Sequence, residues 1–132
     1  MKKWLLIAVC LLVAFSGCGQ STGRETNKTE YRKISAEEAK KILDENAGAI
    51  LLDVRTEAEF KDAHIRGAIQ LPLNEIEKKA AEKLPDKNAV ILVYCRSGVR
   101  SKTAANTLIS MGYTNVYDIG GIIGWPYGTE KG

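Results

Sequence analysis

The chain has 132 residues, 45% hydrophobic and 27% charged, proportions that suit one ordinary globular domain. The formal net charge is +3, and Lys2 and Lys3 at the extreme N-terminus contribute two of those charges. The other basic and acidic residues are nearly balanced and interspersed, which excludes a basic stripe for nucleic acid. We therefore expect a single domain with no nucleic-acid partner.

Residues 1–17 predict an export signal. Two lysines precede an apolar run at 5–15, which is shorter than the roughly 20 residues of a membrane span but suits a secretory signal. The following letters, FSGC, resemble the lipobox of bacterial lipoproteins, which implies a lipid on Cys18 and a membrane anchor. Ordinary cleavage that leaves a soluble secreted domain is the alternative. In both cases we expect an exported protein, in the periplasm or at the outer face of the cell membrane.

A polar, unpatterned stretch at 18–30 predicts a linker, and residues 31–132 predict the folded domain. Cys10 would leave with the signal and Cys18 would carry lipid, so that Cys95 alone would remain in the mature domain. No disulfide can then form within the domain, although the destination is oxidising. Cys95 is therefore either a buried, inert thiol or a reactive one.

From residue 31 onward, strand and helix signals alternate, the pattern of an α/β fold with a parallel sheet between helices. YRKI at 31–34 predicts a short strand, and SAEE at 35–38 is a capping box that opens a helix to about residue 45. AILLDV at 49–54 is apolar almost throughout, as in a strand buried on both faces.

The same alternation continues to the end of the chain. The sequence next predicts a short helix capped by Thr56, with Glu59 at the box position, and a strand at 68–73. A helix follows at 75–84, with Asn74 as its cap and Pro85 as its stop, and then a buried strand at 89–94. The last elements are a helix at 101–111 stopped by Gly112, a strand at 115–119, and a closing turn at 120–128.

Three polar or reactive residues follow the two buried strands. In open α/β sheets, ligands bind beyond the carboxyl ends of the strands, and Cys95, Asp53 and Arg55 fall at that edge if the strands are parallel. We expect Asp53 and Arg55 to orient the edge by hydrogen bonds rather than to bind substrate. Arg55 can also pair with Glu59 at i,i+4.

The loop CRSGVRS predicts a site that activates sulfur and binds an anion. Cations and a helix N-terminus lower the pKa of a thiol, and the thiolate is the nucleophile. In this interpretation Arg96 and Arg100 supply charge, Gly98 allows a positive φ, and Ser101 caps the next helix. Backbone N–H groups of such a loop can form an anion nest. The candidate binding residues are Arg96, Ser97, Gly98, Val99, Arg100 and Ser101, with Cys95 as the catalytic residue.

Three motifs resemble, in their order and spacing, those of the rhodanese family: LLDVRTEAEFKDAHIRGAIQLPL, VYCRSGVRS and VYDIGGIIGW. The resemblance covers residues 31–127 and implies the rhodanese fold, a parallel sheet of about five strands flanked by helices on both faces. It also implies a sulfurtransferase, in which Cys95 carries a persulfide between a small anionic donor such as thiosulfate and cyanide or a thiol acceptor. We expect a monomer.

Two other functions stay open. One is a non-catalytic rhodanese module that binds a partner or senses sulfide, although the intact cysteine loop argues against it. The other is a phosphatase or arsenate reductase, and the C-x4-R spacing from Cys95 to Arg100 argues against it because those related enzymes use C-x5-R. Tyr94 also stands where tyrosine phosphatases typically carry His.

Several residues invite a functional role that we do not assign. The resemblance places His64, the only histidine, in a structural turn, and Trp125 is predicted to pack on the sheet as a lid. One histidine and one mature cysteine cannot form a metal cluster, and no phosphate or dinucleotide glycine motif occurs. We therefore expect neither a metal nor a cofactor.

Overall fold

A computed structural model describes residues 29–132 of the chain. The predicted export signal at 1–17, the lipid anchor at Cys18 and most of the linker lie outside the described residues, and they stay predictions. Within residues 29–132, no helix combines the length and the apolar composition needed to cross a bilayer.

The centre of the fold is a five-stranded sheet in the order β1-β5-β4-β2-β3, in which every neighbouring pair is parallel. The prediction of an α/β fold with a parallel sheet is confirmed. The strands are β1 (Arg32–Lys33), β2 (Ile50–Asp53), β3 (Ile69–Gln70), β4 (Val90–Cys95) and β5 (Asn115–Gly121). The two most apolar strands, β2 and β4, lie side by side in the middle of the sheet, as strands without a polar face must.

Helices cover both faces of this sheet. They are α1 (Ala36–Glu45), α2 (Glu57–Asp62), α3 (Ile76–Lys83) and α4 (Val99–Ser110), with short 3-10 turns at Leu73–Glu75 and Ile122–Gly124. Side chains of β4 alternate between two cores, because successive residues of a strand point to opposite faces. Ile91, Val93 and Cys95 pack with α3 and α4, whereas Leu92 and Tyr94 pack with α1.

Both predicted capping boxes are present, at Ser35 with Glu38 and at Thr56 with Glu59. The prediction of Asn74 as a helix cap is wrong. Pro72 fixes the backbone at φ −63°, and the next three residues form a 3-10 turn that includes Asn74. Helix α3 therefore begins at Ile76, without a side-chain cap.

Candidate active site

Cys95 is the last residue of β4, and it lies at the carboxyl edge of the sheet with only 1% of its surface exposed. Asp53, the last residue of β2, pairs in register with Tyr94 in the neighbouring strand. The sequence prediction that Cys95, Asp53 and Arg55 share one edge of the sheet is confirmed. The sulfur faces the core formed by α3 and α4.

The loop after Cys95 turns back so that its backbone reaches the sulfur. Gly98 adopts φ +104°, a left-handed conformation that glycine tolerates, and its N–H donates to Cys95 Sγ at 3.0 Å. Helix α4 begins immediately afterwards, at Val99. The sulfur therefore lies against the N-terminus of a 12-residue helix, where unpaired N–H groups favour negative charge.

The surroundings of the sulfur act on its ionisation in opposite directions. Burial is the largest influence and raises the pKa of Cys95, whereas nearby donors lower it: the Ser101 hydroxyl and the backbone N–H groups of Ser101, Gly98 and Ser97. Of these donors, the Gly98 N–H forms a hydrogen bond to the sulfur. The net effect holds the pKa of the thiol below its ordinary value. The predicted direction is confirmed, but hydrogen-bond donors are the main cause rather than arginine charge.

Arg100 is engaged by Glu59 of α2. Its Nη1 and Nη2 donate to the two carboxylate oxygens of Glu59, each at 2.8 Å, a bidentate ion pair. The prediction that Arg55 pairs with Glu59 is wrong. The pKa of Arg100 is raised, chiefly by the hydrogen bond to Glu59 and less by attraction to the Cys95 sulfur. Contact between Arg100 and substrate stays a prediction.

Arg96, Ser97 and Val99 are the exposed residues of the loop. The Arg96 side chain is exposed, and it forms no ion pair with any acidic side chain in residues 29–132. Val99 is 75% exposed, although it is apolar. Of the two arginines in the loop, Arg96 is therefore the one whose charge is uncompensated and accessible from solvent.

Ser101 does not cap α4, and that prediction is wrong, because the helix begins two residues earlier with Gly98 at the cap position. The hydroxyl of Ser101 is buried, 3.1 Å from Gly98 O and 2.7 Å from Asp118 Oδ1. Sequence reasoning did not select Asp118, since a carboxylate near the end of a strand carries no motif of its own. Its place beside the loop arises only from the pairing of β5 with β4.

Asp53 and Arg55 form a buried ion pair behind the loop. Nη2 of Arg55 donates to Asp53 Oδ2 at 2.7 Å and to Ala63 O at 2.6 Å, and Nε donates to Asp53 Oδ1 at 3.0 Å. The guanidinium also lies 5.6 Å from the ring centre of Tyr94. These contacts join the end of β2 to the segment after α2, and none of them involves the Cys95 sulfur.

The exit of β5 packs directly on the catalytic loop. Gly120 has φ +84°, and Ile123 N–H donates to Arg96 O at 3.3 Å. A Cβ on Gly121 would lie only 2.6 Å from the Arg96 carbonyl carbon and 2.7 Å from Ser97 Cα. The sequence predicted a closing turn at 120–128, and the structure shows in addition that Gly121 supports the loop by close backbone contact.

His64 and Trp125 have structural surroundings. His64 pairs with Glu130 through backbone hydrogen bonds, and its ring stacks on Phe60 with 3.9 Å between centroids. Its Nδ1 lies 2.9 Å from Phe60 O and its Nε2 3.4 Å from Glu130 Oε1, so both ring nitrogens have partners. Trp125 is partly buried against the α1 core.

A loss of stability in acid is expected from the Glu59–Arg100 pair. The hydrogen bond from Arg100 lowers the pKa of Glu59 from 4.5 to about 2. A depressed folded-state pKa adds stability that is complete above the unfolded value and is lost as the pH falls from about 4.5 towards 2. Because both side chains are partly exposed, we expect a loss of about 1 kcal/mol.

Urea denaturation between pH 6 and pH 2.5 would measure this loss. In Glu59→Gln the corresponding acid dependence should be absent, whereas Glu57→Gln, which removes an exposed carboxylate of the same helix, should retain it. An unchanged acid dependence in Glu59→Gln would contradict the assignment.

Comparison with known proteins places this arrangement in a family context. The family profile described as Rhodanese-like domain matches residues 35–126, which include every residue of the candidate site. Thiosulfate sulfurtransferase PspE of Escherichia coli is 41% identical over 71 residues, covering 54% of this chain and 68% of that protein. A sulfurtransferase of Allochromatium vinosum is 38% identical over 94 residues, covering 70% of this chain and 86% of that protein.

A solved structure described as rhodanese with anions from E. coli superposes on the fold with a TM-score of 0.60. It is 37% identical and covers 64% of this chain and 99% of its own. The fold and the sequence motifs therefore point to the same group of proteins.

Proposed function

The chain belongs to the rhodanese-like family, and from that membership we propose that this sulfurtransferase carries a sulfane sulfur on Cys95 as a persulfide. The donor is thiosulfate or a related anion, and the acceptor is cyanide or a thiol. The observation that carries the proposal is the hydrogen bond from Gly98 N–H to Cys95 Sγ at 3.0 Å, in a loop that lowers the pKa of the thiol. A thiolate held in this way is the reacting nucleophile of the proposal.

In the first half-reaction, the Cys95 thiolate attacks the outer sulfur of thiosulfate. A new S–S bond forms at Cys95, the S–S bond of thiosulfate breaks, and its electron pair leaves with sulfite. The negative charge moves to the outer sulfur of the persulfide. Arg96 supports this step, because its exposed and uncompensated charge attracts an anionic donor.

In the second half-reaction, cyanide or a thiolate attacks the outer sulfur of the persulfide. The S–S bond to Cys95 breaks, its electron pair returns to Sγ, and thiocyanate or a new persulfide leaves. The donors that lower the pKa of Cys95 make it a good leaving group here, because a more stable thiolate departs faster. Such a double displacement predicts ping-pong kinetics.

The covalent intermediate can be tested by the mass of the protein after incubation with thiosulfate. A gain of about 32 Da is expected, reversed by cyanide and absent in Cys95→Ser, since one sulfur atom is added to the nucleophile. No gain, with a thiol that still reacts with iodoacetamide, would contradict the proposal and favour a binding or sensing module. Turnover of an aryl phosphate that depends on Cys95 would instead favour a phosphatase.

A further inference from the structure

A groove adjoins the catalytic loop, and the sulfur-transfer steps described above do not use it. It has a volume of about 320 Å³, within the size range of small-molecule sites, and residues of the loop, the start of α1 and the exit of β5 line it. Its lining includes Ile34, Ala36, Arg96, Ser97, Ile119 and Ile123. Arg96 and Ser97 directly follow Cys95, so a molecule in this groove lies against the loop that surrounds the sulfur.

Ile123 gives the groove an exposed apolar wall. Its backbone N–H donates to Arg96 O at 3.3 Å, which ties it to the loop, yet the residue is 72% exposed. Ile123 and Val99 are the two most exposed large hydrophobic residues that the structure describes, and both lie on or against the loop. Exposed apolar side chains that gather around a site indicate a ligand that covers them. Neither thiosulfate nor cyanide has an apolar chain that could do so.

Arg96 gives the same groove a positive charge. Among the described residues that line the groove it is the only charged one, and it forms no ion pair within residues 29–132. Glu37 and Glu38 follow on α1, but neither lines the groove, and Glu38 is engaged in the capping box at Ser35. An apolar wall beside one fixed cation complements a ligand that carries an apolar chain and a carboxylate, which a guanidinium binds well.

We propose that this groove binds the sulfur acceptor, and that the acceptor is a small organic thiol with an apolar chain and a carboxylate. Ile123 contacts the chain and Arg96 binds the carboxylate. In a double displacement the leaving group of the donor departs before the acceptor reacts, so Arg96 can serve both substrates in turn. The proposal rests on the Cys95 persulfide of the proposed function, and it adds a binding site that cyanide does not need.

The transfer step at this site is the one already described for a thiol. The acceptor thiol loses its proton to solvent, and its thiolate attacks the outer sulfur of the persulfide. A new S–S bond forms, the S–S bond to Cys95 breaks, and its electron pair returns to Sγ. The acceptor then leaves as an organic persulfide, with no change in the total number of electrons and no further reactant.

The test compares three thiols as acceptors on protein already loaded with sulfur. After excess thiosulfate is removed, the protein is mixed with 3-mercaptopropionate, 6-mercaptohexanoate, 6-mercaptohexanol or cyanide, and the loss of the added mass of about 32 Da is followed over time. All three thiols are primary alkyl thiols, and they differ in chain length or in the carboxylate. Because the donor is absent, the rates report the acceptor step alone.

We expect 6-mercaptohexanoate to react about 10-fold faster than 3-mercaptopropionate at equal low concentration. It has three more methylene groups, and each one that is fully buried contributes about fourfold. It should also react about three- to fivefold faster than 6-mercaptohexanol, the size of an ion pair near the surface. Equal rates for the three thiols would overturn the proposal.

Three variants assign each preference to its residue. Ile123→Ser should reduce the preference for the longer chain to within about twofold and keep the preference for the carboxylate. Arg96→Gln should have the opposite effect on the two preferences. Ile69→Ser removes another exposed isoleucine, on β3 at the far edge of the sheet, and should keep both. Wild-type preferences in folded Ile123→Ser and Arg96→Gln would contradict the assignment.

The outcomes distinguish this proposal from the proposed function. If the persulfide forms and cyanide removes it, but the three thiols react equally fast, the acceptor site is wrong and the sulfurtransferase stands. If no persulfide forms, both are wrong. The comparison among thiols in the wild-type protein needs no substitution, so it decides the matter even if a variant does not fold.

Discussion

Gly121→Ala is expected to lower kcat/KM for sulfur transfer from thiosulfate to cyanide by about 100-fold or more, because displacing a catalytic group by about 1 Å can cost that much. The added methyl group would meet the carbonyl carbon of Arg96 at 2.6 Å and Ser97 Cα at 2.7 Å. Both are backbone atoms, so no side chain can rotate away to relieve the contact. The catalytic loop or the exit of β5 must therefore move.

Gly124 provides a matched control, three residues further along the same turn. A Cβ on Gly124 meets no atom within 4 Å, and Gly124→Ala should stay within about twofold of wild type, as surface substitutions usually do. Thermal unfolding of both variants would separate a displaced loop from a general loss of folding. A folded Gly121→Ala with activity near that of Gly124→Ala would show that the close contact does not position the loop.

The sequence predicted those features of the fold that depend on neighbouring residues. The capping boxes at Ser35 and Thr56 need only a partner three residues away, and the buried strands need only a continuous apolar run. The two capping errors also have a local cause. A 3-10 turn that follows Pro72 includes Asn74, so the helix begins after Asn74 without using it as a cap. Gly98, in a left-handed conformation, begins the next helix before Ser101, so the Ser101 side chain cannot cap it.

The contacts between side chains in the site depend on tertiary structure, and the sequence did not reveal them. Glu59 and Arg100 are 41 residues apart, and Ser101 and Asp118 are 17 apart. The i,i+4 rule assigned Glu59 to Arg55, but Arg55 reaches the buried Asp53 two residues earlier. Glu59 is then left to close its capping box and to bind the arginine that α4 presents.

These pairings change the explanation of how the site attracts an anion. The sequence suggested that two arginines act together on the sulfur, whereas the structure compensates Arg100 with Glu59 and leaves Arg96 exposed. Stabilisation of the thiolate falls mainly to donors in the loop and at the start of α4, and the backbone fixes the direction of the Gly98 N–H that donates to the sulfur. Donors fixed in this way need no reorganisation when charge develops.

Arg55→Met is expected to destabilise the domain by about 3–5 kcal/mol, the cost of removing one partner from a buried ion pair. Asp53 is fully buried, and the variant would leave its carboxylate without the three hydrogen bonds from the Arg55 guanidinium. The Ala63 carbonyl would also lose its donor. Urea denaturation at neutral pH would measure the change in the free energy of unfolding.

Two comparisons identify the cause of that loss. Arg66→Met removes an arginine whose side chain is 88% exposed and whose partner is Glu130, and it should cost no more than about 1 kcal/mol. Adding Asp53→Asn to Arg55→Met should restore part of the stability, because the isolated carboxylate is the costly group. The loss of stability in the double variant can be compared with the sum of the losses in Arg55→Met alone and Asp53→Asn alone. If the two are equal, the guanidinium contributes through packing on Tyr94 and not through charge.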